Sequence, residues 1–208
     1  GFKVNSGEYK LMGLAPYGEA KYKNTILKEL LDLKEDGSFR LNMKYFNYAT
    51  GLTMTNRKFE KLFGQKVRNP ENEPLNQFHM DIASSIQMVT EEIILKLTKS
   101  LSKEYKSKNL CMAGGVALNC VANGKVLKNS FFKNIWIQPA AGDAGGSLGA
   151  ALAFWYKELG NKRSSVEMKD QMKGSYLGPS FENNEVEKSL KSLNANYQKL
   201  DDKNLSEN

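Results

Sequence analysis

An α/β fold is the fold class that this 208-residue sequence predicts, for three reasons. Short apolar runs typical of buried strands alternate with stretches of helical periodicity, and glycine-rich turns join the two. Residues 110–113 and 135–137 are the clearest strand candidates, and each precedes a glycine turn that opens a helix. The chain is 40% hydrophobic and 25% charged, which suffices for one core of ordinary size in one or at most two domains.

The first third of the chain predicts mainly helices. A short helix is expected over residues 8–14, within an entry rich in glycine and proline, and residues 22–35 have helical spacing with one broad apolar face. The Asp36-Gly37 pair indicates a turn, and the alternation over 39–43 indicates a half-buried strand. A further helix is expected over 56–63.

The longest predicted element is a helix that begins near Asn76. Apolar residues recur at helical spacing over about seven turns, a stripe more typical of core than of a partner groove. His79, the single histidine, lies at the start of this helix, and a structural role is expected for it. Later, residues 161–175 indicate a linker or surface insertion, 182–193 a helix and 195–200 a short strand.

The glycine turns carry the chemistry of the sequence. Gly114-Gly115 allows a turn tight enough for backbone N–H groups to face an anion, and Asn119 stands where the next helix begins. The second turn spans 142–146 and contains Asp143, the one charged residue between 134 and 156. Neither turn has the spacing of a P-loop or of a dinucleotide fingerprint. Asp143 is therefore either a metal or nucleotide ligand or a helix N-cap.

Composition argues against several classes of function. The formal charge is +7, but the lysines are spread along the chain, usually near acidic residues, instead of clustering with aromatics as on a nucleic-acid surface.

No run approaches the roughly 20 apolar residues of a membrane span, and no signal peptide is visible. We expect a cytoplasmic protein with no membrane partner. Cys111 and Cys120 are expected to be buried free thiols.

Three colinear segments carry a family resemblance. They are GEYKLMGLAPYGEAKY at 7–22, AGGVALNCVANGKVL at 113–127 and NIWIQPAAGDAGGSLGAAL at 134–152. They resemble the NodU-type O-carbamoyltransferases, whose catalytic domain is similar to the tRNA threonylcarbamoyl-transferring proteins. The resemblance implies half of an actin/Hsp70-like ATPase fold, with a mixed sheet flanked by helices. It also implies that ATP and carbamoyl phosphate form a carbamoyl-adenylate, from which the carbamoyl group passes to a small-molecule hydroxyl.

The same resemblance implies a set of site residues but no catalytic residue. A divalent metal, such as iron or magnesium, would be bound by Asp143. Nucleotide-binding positions are implied at Gly114, Gly115, Val116, Asn119, Gly145, Gly146, Glu8 and Lys10. For Glu8 and Lys10 the alternative is an ordinary solvated helix start.

The chain also departs from the family pattern. The family's His-x-x-x-His segment and its GPRALGNRS-like block are both absent. We therefore expect an internal piece of a longer enzyme: 1–160 as the second half of the ATPase-like domain, 161–175 as a linker or surface insertion, and 176–208 as either the end of this domain or the approach to a YrdC-like domain. Such a piece should be inactive alone and should need the remaining domains of its parent chain. Whether its exposed apolar surface forms a homodimer stays open.

Two other classes of function remain open on the sequence. A sugar or acetate-type kinase would share the fold and similar glycine turns but would transfer phosphate. A non-catalytic binding module would keep the folded half-domain for partner contact.

Overall fold

The computed structural model describes residues 1–4, 6–129, 131–163 and 172–201. It confirms an α/β chain of helices and small sheets. The chain divides into two compact units, Gly1–Asn161 and Lys162–Asn208. Of the predicted linker, residues 164–171 lie outside the described residues. In the described part of the chain, no helix combines the length and the apolar character that crossing a membrane requires.

The long helix α4, Gln77–Tyr105, organises the first unit and confirms the predicted stripe. Its buried positions include Val89 and Ile94, and each belongs to a separate hydrophobic cluster. The helix begins with a capping box: Asn76 Oδ1 accepts the N–H of His79, and His79 Nδ1 accepts the N–H of Asn76. The single histidine therefore has the structural role that the sequence predicts.

The first segment of the family resemblance is held at the start of α4 by hydrogen bonds to Asp81, a set of contacts that we call the Asp81 clamp. It contains α1, Glu8–Leu14, as predicted, followed by a 3₁₀ turn over Ala15–Tyr17. The buried carboxylate of Asp81 accepts hydrogen bonds from the N–H of Glu19 at 2.9 Å, from Lys21 Nζ at 2.9 Å and from Gln77 Nε2 at 2.8 Å. These bonds lower the pKa of Asp81 to about 2, with the backbone bond from Glu19 as the largest cause.

The prediction of one helix over 22–35 is wrong in its second half. A helical turn over Lys23–Thr25, α2, continues as a π-helical turn over Ile26–Leu30, and the chain then forms strand β1, Leu31–Leu33. β1 pairs antiparallel with β2, Phe39–Leu41, through the predicted turn. Leu31 is buried in the core cluster, so tertiary packing and strand pairing override the local helical spacing.

The next elements complete the first hydrophobic cluster. A 3₁₀ turn over Met43–Tyr45 follows β2, and α3, Arg57–Phe63, matches its prediction. Tyr45 and Phe63 are buried in the cluster.

The second cluster lies under a parallel strand pair. β3, Asn109–Met112, pairs in parallel with β4, Asn134–Ile137, and α5, Cys120–Lys128, connects them through a 3₁₀ turn over Gly115–Leu118. Leu110, Met112 and Ile135 pack on α4 and α5. The alternate side chains, Cys111 and Trp136, are exposed.

Three expectations need correction. The described residues form two separate two-stranded sheets, one antiparallel and one parallel, instead of the single mixed sheet that was expected. Both cysteines are exposed rather than buried, because Cys111 faces away from the helices and Cys120 lies in the first turn of α5. Residues 195–200 form no strand, because no strand of the described residues pairs with them.

The remaining helices differ in character. α6, Gly145–Ala153, continues as a π-helical turn over Phe154–Glu158, and neither contains a buried residue, although both are largely apolar. In the second unit, α7, Asn183–Ser192, confirms the predicted helix.

Candidate functional site

The two glycine turns meet at the carboxyl ends of the parallel strands. Met112 is in register with Ile137, so the turn after β3 and the turn after β4 leave the sheet at the same edge. The N–H of Gly114 donates a hydrogen bond to the carbonyl of Ala141 at 2.7 Å. The carboxyl edge of parallel strands is where open α/β sheets commonly bind ligands.

Open space lies in front of most of these glycines. A Cβ atom added at Gly114, Gly115 or Gly146 would meet no atom of the described residues within 4 Å, apart from its chain neighbours and the backbone of its own helix. Gly114 also has φ +98°, a conformation that strongly favours glycine. At Gly145, by contrast, a side chain would collide with the carbonyl oxygen of Ala140. The predicted nucleotide positions thus include exposed backbone that a ligand can approach, and one glycine that local packing requires.

Asn119 is held at the start of α5 by several hydrogen bonds. Its Oδ1 accepts the N–H of Ala122 at 3.1 Å, which makes it the N-cap of α5, the helix that the sequence predicts to begin here. The same oxygen accepts from Gln87 Nε2 at 3.1 Å, and Asn119 Nδ2 donates to Gln87 Oε1 at 2.9 Å. One amide hydrogen of Asn119 is left over.

A buried carboxylate continues this network. Gln87 Nε2 also donates to Glu91 Oε1 at 2.9 Å, and Lys125 Nζ donates to Glu91 Oε2. Gln87 and Glu91 lie on α4, whereas Lys125 lies on α5. Both helices are therefore joined beside the first glycine turn by paired charges and amides.

Asn123 holds the middle of the same turn. Its Nδ2 donates to the carbonyl of Ala117 at 2.7 Å, from a side chain that is nearly fully buried. Its Oδ1 is the one buried side-chain oxygen or nitrogen without a hydrogen-bond partner in the described residues. Two amides of α5, Asn119 and Asn123, thus fix the path of Gly115–Leu118.

Asp143 lies exposed in the second turn. Its backbone carbonyl accepts the N–H of Gly146 at 3.0 Å, whereas the N-cap position of α6 is Ala144, which has no side-chain cap. Among the described residues its carboxylate forms no hydrogen bond or ion pair, so the alternative role as a helix cap is not observed. Those residues also contain no group of three metal-binding side chains. The described residues therefore do not by themselves fit a divalent metal.

Glu8 and Lys10 lie on a different element. Both are exposed on α1, which packs on α4. Glu8 Oε2 accepts the N–H of Gly7 at 3.1 Å, and Lys10 Nζ lies 5.9 Å from the centroid of the Tyr9 ring. The described contacts do not bring either residue together with the glycine turns.

Sequence reasoning missed Gln87, Glu91 and Asn123. All three are polar residues on predicted helices, and nothing in the neighbouring sequence indicates that their side chains are buried. A weak signal exists for two of them: Gln87 and Glu91 are four residues apart, a spacing that places side chains together on a helix.

With this geometry established, comparison with known proteins identifies the family. The Carbamoyltransferase N-terminus family matches residues 1–152. The chain belongs to this family. A relative from Synechocystis sp., the uncharacterized protein sll1178, is 62% identical over 207 residues, covering 99% of this chain and 33% of the relative.

Two nodulation proteins are also similar. NolNO of Sinorhizobium fredii is 34% identical over 172 residues, which cover 83% of this chain and 23% of that protein. NolO of Bradyrhizobium diazoefficiens is 35% identical over 171 residues, which cover 82% and 29%. The chain thus spans a third or less of the length of these curated relatives. Within the Carbamoyltransferase N-terminus match lie all three segments that carried the resemblance.

Proposed function

We propose that this chain forms part of the nucleotide site of an O-carbamoyltransferase. The full-length protein would form carbamoyl-adenylate from ATP and carbamoyl phosphate and would transfer the carbamoyl group to a hydroxyl of a small molecule. The observation that carries this proposal is the meeting of the two glycine turns at one edge of the parallel strands, with open space before Gly114, Gly115 and Gly146. Family membership supports the reaction class.

The turns suit a phosphorylated ligand for a physical reason. The exposed backbone of Gly114, Gly115 and Gly146 allows a ligand to approach closely. No side chain caps the start of α6, where the N–H groups of Gly145 and Gly146 donate to carbonyls of the turn itself. Val116 is exposed on the 3₁₀ turn and offers an apolar contact for the adenosine. Asn119 keeps one N–H for an acceptor on the nucleotide. Glu8 and Lys10 remain proposed contacts from across the cleft.

Asp143 is proposed as one ligand of a divalent metal that accompanies ATP. Its carboxylate is exposed and unpaired within the described residues, beside the open turn. The other ligands would come from outside these residues, since the described ones contain no metal-binding group of three.

The remaining domains of the full-length protein are proposed partners. Parallel strands are normally covered on both faces, yet β3 and β4 expose Cys111 and Trp136, and α6 has no buried residue. An actin-like ATPase fold, completed by those domains, would cover this surface. The chain by itself is then expected to be inactive.

The reaction is tested by product analysis with the full-length protein. Carbamoyl phosphate and water would first give carbamate and inorganic phosphate. A carbamate oxygen would then attack the α-phosphate of ATP and displace pyrophosphate, so pyrophosphate release should require carbamoyl phosphate. Release of ADP in its absence, dependent on a hydroxyl acceptor, would instead identify a kinase. Gly115→Ala should reduce pyrophosphate release at limiting ATP, and the matched control Gly124→Ala, which alters an open glycine within α5, should not.

A further inference from the structure

The amide of Gln87 stands between a buried carboxylate and the first glycine turn. It is itself buried on α4, and each of its polar atoms has a partner on α4 or at the start of α5. A buried amide with all its hydrogen bonds made is costly to disturb, since any lost partner leaves a group unsatisfied.

The chemistry of Glu91 fixes which way this amide points. Both oxygens of the Glu91 carboxylate accept hydrogen bonds, Oε1 from Gln87 Nε2 and Oε2 from Lys125 Nζ, so the NH₂ group of Gln87 faces Glu91. Lys125 pairs with that carboxylate from α5.

The orientation of the Gln87 amide in turn fixes the orientation of the Asn119 amide. One hydrogen of Gln87 Nε2 is taken by Glu91 and the other by Asn119 Oδ1, while Gln87 Oε1 accepts from Asn119 Nδ2. Since the N–H of Ala122 also donates to Asn119 Oδ1, both acceptor sites of that oxygen are filled. Asn119 therefore presents a single N–H donor, and its side chain cannot rotate without breaking the cap of α5.

We propose that Gln87 is a positioning residue of the nucleotide site: it locks Asn119 as the cap of α5 and thereby sets the Gly114–Leu118 turn and the one donor that Asn119 offers to an acceptor atom of the nucleotide. This inference rests on the proposed function. Gln87 acts through Asn119 and does not itself need to touch the ligand.

The test compares Gln87→Met with a matched control in the full-length protein. Methionine keeps the length and volume of the side chain but removes every hydrogen bond. Thr98→Val alters another buried polar residue of α4, whose hydroxyl bonds only carbonyls of its own helix. Three quantities are measured for each: the KM for ATP, kcat at saturating ATP, and hydrogen exchange of the Ala122 amide.

We expect Gln87→Met to raise the KM for ATP about tenfold, because two hydrogen bonds to Asn119 are lost. The kcat at saturating ATP should stay within about twofold of the wild type, and the Ala122 amide should exchange faster. Thr98→Val should change neither KM nor that exchange. If Gln87→Met does not fold, Gln87→Asn answers the same question, since its amide is one methylene shorter and cannot bond Glu91 and Asn119 together, while Asn119 itself is unchanged.

Two outcomes count against the inference and are distinguishable. If the wild type binds ATP and Gln87→Met lowers only the melting temperature, leaving the KM for ATP and the Ala122 exchange as in the wild type, Gln87 is merely structural and the proposed function stands. If the wild type itself binds no ATP, the proposed function and the inference fall together.

Discussion

A hydrogen bond from the N–H of Gly114 to the carbonyl of Ala141 joins the two glycine turns, although these two residues lie 27 positions apart in the sequence. It joins the end of β3 to the end of β4 and leaves Gly115, Asp143 and Gly146 exposed. The turns therefore form one surface, and substitutions in either should affect the same ligand.

Gly115→Ala and Gly146→Ala test that surface directly. Neither methyl group meets an atom of the described residues outside its own turn, so neither should destabilise the protein, whereas a ligand against the backbone would be displaced. Gly146 lies in α6, so Gly146→Ala should also stabilise that helix. We expect ATP affinity to fall about tenfold in each, the equivalent of roughly 1.4 kcal/mol. Gly124→Ala is the control, and it should stabilise α5 by about 0.5 to 1 kcal/mol without changing affinity. Isothermal titration and urea unfolding give both quantities, and unchanged affinity in both turn variants would remove the glycine turns from the site.

The Asp81 clamp predicts an acid-sensitive contribution to stability. Because the pKa of Asp81 is about 2 in the folded protein, below its ordinary value of 3.8, the unfolded chain binds a proton more readily. This contribution is complete above the ordinary value and is lost as the pH falls towards 2. Asp81→Asn should be less stable than the wild type at neutral pH, and the difference should shrink as the solution is acidified.

Urea unfolding between about pH 6 and pH 3 measures this dependence. Asp32→Asn is the control, because Asp32 pairs with Lys34 at 2.6 Å on the surface, where ion pairs contribute little. A constant difference between wild type and Asp81→Asn over this range would contradict the clamp.

The capping box predicts a second pH dependence, near neutrality. Burial, followed by the positive charge of Arg68, lowers the pKa of His79 from its ordinary value of 6.5, and Nδ1 must be unprotonated to accept the N–H of Asn76. Stability from this bond is present above the ordinary value and is lost as the pH falls through the lowered one.

His79→Gln isolates the effect, since glutamine at this position can also complete a capping box but does not titrate. We expect the variant to match the wild type at pH 7.5 and to be the more stable of the two at pH 5. Thermal unfolding at the two pH values suffices, and equal losses in both proteins would show that His79 does not contribute through its charge.

Several parts of the structure were predictable because local signals agreed with tertiary packing. The stripe of α4, the two strand-to-glycine turns and the start of α5 at Asn119 follow from periodicity and turn chemistry in the sequence alone. β1 was not predictable, because Leu31 continues a helical pattern and forms a strand only by pairing with Leu41.

The hydrogen-bond network beside the site was not predictable, for a related reason. Helix packing brings together Glu91, Gln87 and Asn119, and Gln87 and Asn119 are 32 positions apart. No local sequence motif indicates such a buried network. The exposure of Cys111 was missed because the apolar run around it resembles a strand covered on both faces, whereas the described residues cover only one.

The central claim is that the two glycine turns and Asp143 form one nucleotide and metal site. The most direct test is a calorimetric titration of ATP, with and without magnesium, into the full-length protein and into its Asp143→Asn and Asp32→Asn variants. We predict magnesium-dependent binding to the wild type and to Asp32→Asn, weakened at least about tenfold in Asp143→Asn. Equal magnesium-dependent affinity in all three proteins would contradict the role of Asp143, and no ATP binding to the wild type would contradict the nucleotide site itself.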